Sequence, residues 1–318
     1  MTPPRTSTNL MNAVPASLDS SELKHAIIEF ARGASIEIST HDEDLLPALA
    51  EKLLPGTTVY VAHTPKASLE DVVRLAGKVE AAGFRASPHI VARRLASARA
   101  LQTALRGLHE RGVRQVLLVA GDLKEPAGDF SSTLEVLKTD LLLEEGIERI
   151  GFGAHPEGHP VIAPAALWLA LKEKQAFADR TGAKVHLVTQ FGFNPEAVFA
   201  WYKRLTEHGI SLPVHVGIAG PTPLPKLIKF AMQCGVGNSL NSLMKNMSAM
   251  SNLARSATSP DEMLVGLVRG RVLHHAGRIV QPHLFCFGGT IPTAHWLRSV
   301  IDGTFDLPAE GGKFVMSA

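Results

Sequence analysis

Cysteine is nearly absent, with Cys234 and Cys286 the only two in 318 residues. Two thiols cannot form the disulfide framework of a small secreted scaffold or a cysteine-rich zinc site, and reduced thiols suit the cytoplasm. Both read most simply as small core residues. An excess of one charge is also missing: 32 Lys and Arg stand against 30 Asp and Glu. Phosphate-backbone binding needs a basic face, so no nucleic acid partner is expected. No apolar run approaches the ~18 residues of a membrane span, so no membrane partner is expected either. The first twenty residues are polar and Pro/Ser-rich without an apolar stretch, and read as a flexible tail over residues 1–20 rather than a signal peptide. No G-x-G-x-x-G follows a strand, and G-x-x-x-x-G-K-[ST], H-E-x-x-H and G-x-S-x-G do not occur. A Rossmann dinucleotide domain, a P-loop and a serine-hydrolase elbow are thereby excluded.

The chain does have apolar residues, 45% of the total, enough for a large core. Short apolar or β-branched runs recur with helical stretches between them, as in a parallel sheet with helical crossovers. Eight strands are expected, beginning near Ala34, Thr58, Arg85, Gln115, Arg149, Lys184, Pro213 and His283. Apolar residues at three- and four-residue spacing predict helices over Leu69–Ala82, Ser97–Arg111, Ser132–Glu144 and Glu196–His208. Further helices over Pro225–Gln233, Ser239–Ser256 and Pro260–Ala276 would decorate the interval before the last strand. Part of that interval, Ser239–Ala276, would either cover the barrel or serve a homo-oligomer. With no internal repeat or linker, residues 21–318 read as a single domain.

An open doubly wound sheet alternates in the same way. The polar residues at the expected C-terminal strand ends favour an α/β fold of the (β/α)8 TIM barrel type, whose active sites gather at that face. These residues are Glu37, His63, His89, Asp122, His155, Glu157, His159, Gln190 and the turn Gly220-Pro221-Thr222. Glu37 stands between Ile36 and Ile38, where burial would raise its pKa and make it a general acid near neutral pH. The strand Val116–Asp122 brings a carboxylate and an unobstructed backbone N–H to the top of the sheet, suited to polar cofactor contacts, although a helix cap or turn uses the same residues. The segment Gly151–Pro160 sets two histidines and a glutamate in a loop stiffened by prolines. Metal binding through His155, Glu157 and His159 would make the chain a metal-dependent lyase or hydrolase.

Glu37, Ser87-Pro88-His89, Ala120-Gly121-Asp122-Leu123, His155-Pro156-Glu157-Gly158-His159-Pro160 and Thr189-Gln190-Phe191 resemble, in order and spacing, the landmarks of methylenetetrahydrofolate reductase. The resemblance runs from about Ser35 to Phe230. It implies a flavin-dependent oxidoreductase that interconverts 5,10-methylenetetrahydrofolate and 5-methyltetrahydrofolate by hydride transfer at FAD, with tetrahydrofolate derivatives as its partners. Glu37 would be the general acid at N10, and the base in reverse; Asp122 would stabilise developing positive charge. Gln190, Phe191, Lys226 and Phe230 would contact the folate, Phe230 against its aminobenzoyl ring. FAD would be held by His89, Gly121, Asp122, Phe130, Ser131, Gly153, His155, His159 and Lys174, the lysine offsetting phosphate charge. The sequence departs from the family's pattern at Ala62, Ala120, Leu167 and Ala170, which stand where polar flavin contacts are usual. Lys226 replaces a glutamine that touches folate and nicotinamide, which leaves NADH or NADPH as reductant open. A binding protein for folate or flavin without catalysis is the alternative these departures motivate.

Overall fold

The strands owe their form to strict alternation. In β1 (Ser35–Ser39) the side chains of Ile36 and Ile38 enter the large apolar core, while Ser35, Glu37 and Ser39 take the other face. β2 (Thr58–Ala62) repeats this: Val59 and Val61 join that core, whereas Tyr60 belongs to a separate inner cluster with Leu117 and Val188. The same division holds in β3 (Arg85–Val91), β4 (Gln115–Val119), β5 (Arg149–Ala154), β6 (Lys184–Thr189), β7 (Val214–Ala219) and β8 (Ile279–Phe285). One face of every strand is aliphatic and meets helices. The other faces a common interior.

The molecule is described by a computed structural model covering residues 18–234, 257–307 and 315–316. All eight strands pair in parallel, each with its chain neighbour, and β8 closes on β1 through Ser35 opposite His283 and Glu37 opposite Phe285. The result is the expected (β/α)8 barrel. Helices α1 (Ser20–Arg32), α2 (Leu46–Lys52), α3 (Leu69–Ala81), α4 (Ala98–Glu110), α5 (Thr133–Leu137), α6 (Leu141–Glu144), α7 (Pro164–Thr181), α8 (Pro195–Glu207), α9 (Leu224–Cys234), α10 (Asp261–Leu273) and α11 (Thr290–Ile301) surround it. A capping box starts α1, where Asp19 accepts from the Glu22 N–H and Glu22 returns a bond to the Asp19 N–H. Among the described residues no helix is long and apolar enough to cross a membrane.

Two boundaries differ from expectation. The helix expected over Ser132–Glu144 is two, α5 and α6, because Asp140 adopts a left-handed conformation (φ 54°) that interrupts the helical path. The last strand starts at Ile279 rather than His283: Gln281 and Pro282 break the apolar pattern, and the pairing with β7 absorbs them through a register shift between Ile279 and Gln281. The helix expected over Ser239–Ser256 lies outside the described residues. An antiparallel pairing of Thr222–Pro223 with Ala257–Thr258 holds the ends of that interval together.

Candidate active site

Glu37 is the centre of the site. It leaves β1 toward the interior, with 21% of its side chain exposed, and its Oε2 lies 3.3 Å from Nε2 of His89 on β3 and 3.7 Å from Nε2 of His283 on β8. His283 is fully buried and its Nδ1 meets the Ser35 hydroxyl at 2.9 Å. Burial alone pushes the Glu37 carboxyl up, as expected from the sequence, but the two imidazoles outweigh it and hold the pKa at about 2. The expected net rise is thus corrected: histidines from two other strands stabilise the charged form. In His283 the balance reverses, burial winning over the carboxylate to lower the imidazole pKa.

Aromatic side chains crowd the mouth beside Glu37. Phe191 is buried beneath Phe193, Phe285 and Phe287, and Phe287 stacks on Phe230 with centroids 4.6 Å apart. Phe287 has a positive φ of 46°, followed by Gly288 at 74°. A β-carbon at Gly288 would lie 2.6 Å from the Nζ of Lys226, so the exposed lysine of α9 rests over this turn. Gln190 turns its Oε1 back to accept the Phe191 N–H at 3.1 Å.

The remaining predicted residues gather on the β3–β5 side. Gly121 has φ 94°, and a β-carbon there would fall 2.4 Å from Val91 Cγ1, so the turn that carries Asp122 requires glycine. The exposed Asp122 carboxylate pairs with the Arg94 guanidinium at 3.1 Å, and Arg94 also donates to the His63 carbonyl at 2.7 Å. Ser131 donates its hydroxyl to Glu135 and is held through its carbonyl by Arg93. Phe130 is packed in the apolar core, so its ring is turned away from the mouth.

His155 and His159 meet edge to face at 4.9 Å. Burial draws His155 down to about 4, with His159 and Lys174 adding to the effect. His159 accepts the N–H groups of Val161 and Ile162 on its Nδ1. That use of the ring fixes the loop, and among the described residues no three His, Cys, Asp or Glu side chains converge to hold a metal. The side chains of His155, Glu157 and His159 are thus not gathered as a ligand set.

Lys174 of α7 is buried, its ammonium lies over the Phe152 ring at 5.0 Å, and desolvation lowers its pKa to about 8. Among the described residues it has no carboxylate partner within ion-pair distance. On the opposite, interior face of the same strand an added β-carbon at Gly153 would meet Val119 Cγ1 at 3.6 Å. A buried, unpaired ammonium is suited to an anionic group. Ala62, the last residue of β2, and Ala120, just after β4, offer only methyl groups.

Sequence reasoning missed Tyr60, Arg94, His186, His215, His283, Phe285 and Phe287. The signal for most of them is period-two polarity inside strands, such as His186 between Val185 and Leu187, rather than polarity at strand ends.

A family model described as methylenetetrahydrofolate reductase matches residues 57–256. Among solved structures, a mutant tryptophan synthase α-subunit from Pyrococcus furiosus is 12% identical with a TM-score of 0.47, covering 86% of this chain and 97% of that one. Dihydropteroate synthase from Thermus thermophilus is 13% identical with a TM-score of 0.45, covering 83% and 90%. Likeness at that level carries no argument about the site.

Proposed function

The chain belongs to the methylenetetrahydrofolate reductase family, and from that premise we propose that it is an FAD-dependent enzyme interconverting 5,10-methylenetetrahydrofolate and 5-methyltetrahydrofolate. At the family level it is a folate-related oxidoreductase. The observation that carries the finer reading is Glu37, an acid inside the barrel mouth between His89 and His283 and beside an aromatic stack suited to a flat, conjugated substrate.

Lys174, His155, His159 and Gly153 would hold the phosphate-bearing part of FAD, and His89, Gly121, Asp122, Phe130 and Ser131 the remainder, Phe130 through its backbone. The bound flavin supplies hydride transfer. The protein manages the proton at N10. In the ligand-free chain Glu37 is ionised, and substrate that parts it from the two imidazoles would remove what lowers its pKa and leave burial, which raises it. Glu37 would then protonate N10 as the five-membered ring opens, or take that proton back as the ring closes. Asp122, steadied by Arg94, would set negative charge near the cationic carbon. Gln190, Phe191, Phe230 and Lys226 would line the folate side.

The test is the visible spectrum of the purified protein with FAD, followed anaerobically on adding 5-methyltetrahydrofolate. Flavin bands that bleach support the proposal, and failure to bind FAD defeats it. Glu37→Gln should retain flavin and lower folate turnover by about 10²-fold or more; unchanged turnover would remove Glu37 from its role.

A further inference from the structure

Branched aliphatic layers usually fill such barrels, but here Leu117 and Val188 share the interior with Tyr60, His186, His215 and His283. Below Glu37 the Tyr60 hydroxyl meets His186 Nε2 at 2.9 Å, and the His186 ring stacks on His215 with centroids 4.2 Å apart. The Tyr60 ring also packs edge-on against His283 at 4.5 Å, and His283 faces Glu37. These four residues come from four strands and form one column along the barrel axis.

The column runs the length of the barrel. Glu37 is level with Phe285, which pairs with Ala219 of β7, whereas His215 precedes Ala219 on the same strand by four residues. At about 3.3 Å per residue that is roughly 13 Å along the strand, or about 11 Å along a barrel axis to which strands tilt by ~36°. His215 is the second residue of β7 and only partly buried, so the column ends near the N-terminal face. Arg149, the exposed first residue of β5, acts on both lower rings and marks the same end.

Among the described residues, Nδ1 of His215 and Nε2 of Gln115 lack a hydrogen-bond partner in this interior, and Nε2 of His89 and His283 meet only the Glu37 carboxylate. Unpaired buried polar groups are costly, and water with two to four polar neighbours is their usual partner. Burial keeps His186 and His215 neutral, His186 at about 4 and His215 well below its ordinary value, and it raises the Tyr60 phenol so that it keeps its proton. Neutral imidazoles and a phenol each offer both a donor and an acceptor.

We propose that His215, His186 and Tyr60, bridged by buried water, conduct protons between the N-terminal face of the barrel and the Glu37–His283 pair. Resting on the proposed folate chemistry, the path would explain how Glu37 is recharged while substrate covers the mouth. For each proton that Glu37 gives to N10, one enters from solvent at His215; in the reverse direction the flow is outward, and no redox change occurs in the column. None of the three residues touches the reacting atoms, so all act through Glu37.

The test uses the full chain labelled with ring-¹⁵N histidine, and two variants that keep the packing. His215→Phe preserves the stack on His186, and Tyr60→Phe preserves the ring. In the wild type, exchange of the interior imidazole N–H protons with water is expected to be fast by NMR, and roughly tenfold slower or more in either variant. In the flavin-loaded protein, His215→Phe should slow the folate half-reaction by about the same factor and enlarge its solvent deuterium isotope effect. Folate affinity and flavin reduction by dithionite should not change, and His215→Gln, which can still bind water, should recover part of the rate. Unchanged imidazole exchange in both variants overturns the path whether or not folate reacts. Slowed exchange in a protein that turns over no folate leaves the path standing and defeats the proposed function instead.

Discussion

Burying the Lys174 ammonium against Phe152, with its pKa drawn from 10.5 to about 8, destabilises the chain unless an anion joins it. That makes Lys174→Met a variant with two opposed outcomes. Without ligand, the thioether should fill the same space without a charge, and at neutral pH stability in urea should rise by about 3 kcal/mol, from the size of the shift. With ligand, FAD affinity should fall by about tenfold or more, because the phosphate loses its buried cation; a flavin titration alongside urea unfolding checks both. Stabilisation without loss of flavin affinity would place the phosphates elsewhere. Lys174 was legible only through family resemblance, since nothing in its helix marks it as buried. Glu37 was legible directly, as a charge between two isoleucines, but its electrostatics were not: His89 and His283 reach it only when the barrel closes.

The loop after β4 shows how an element can be built around one residue. Arg93 donates to the carbonyls of Leu123, Lys124 and Ser131, while the Ala127 N–H returns a bond to the Arg93 carbonyl. Gly128 seals this arrangement: an added β-carbon would lie 2.0 Å from the Ala96 carbonyl oxygen. Backbone cannot swing aside as a long side chain can, so Gly128→Ala must displace the loop at a cost of about 1–3 kcal/mol. The expected result is faster hydrogen exchange and proteolysis over residues 122–132, with weaker flavin binding and an intact barrel. Normal flavin affinity on a displaced loop would exclude Phe130 and Ser131 from the cofactor site. Strands and most helices were readable from their periodicity because one face of each meets a common core. The exceptions arose where backbone conformation decided the outcome, at the left-handed Asp140 and at the register shift below Gln281.

Across the molecule the buried histidines and Glu37 shift in one direction. Burial lowers His155 and His186 to about 4 from 6.5, and lowers His63, His215 and His283 as well, while its histidine partners hold Glu37 at about 2 instead of 4.5. For each of these groups the unfolded chain binds a proton that the folded chain refuses, so their contribution to stability falls as pH falls. The histidine contribution is complete above about pH 6.5 and is lost as pH falls toward 4; that of Glu37 is present above about pH 4.5 and is lost toward pH 2. Shifts of this size are worth on the order of 3 kcal/mol per fully buried histidine, against total stabilities of about 5–15 kcal/mol. The chain should therefore unfold in acid before Glu37 titrates. Urea midpoints should drop steeply between pH 6.5 and 4, and His186→Phe should flatten that slope while lowering stability at pH 7 through the lost Tyr60 bond. Lys174 extends the trend upward, because its ammonium deprotonates near pH 8 in the folded chain and near 10.5 in the unfolded one, so stability rises between those values. A phosphate beside Lys174 would restore the lysine pKa and abolish that alkaline rise. The same linkage requires FAD affinity to decline as pH climbs through 8, and an affinity flat from pH 7 to 10 would show that Lys174 does not meet the cofactor's charge.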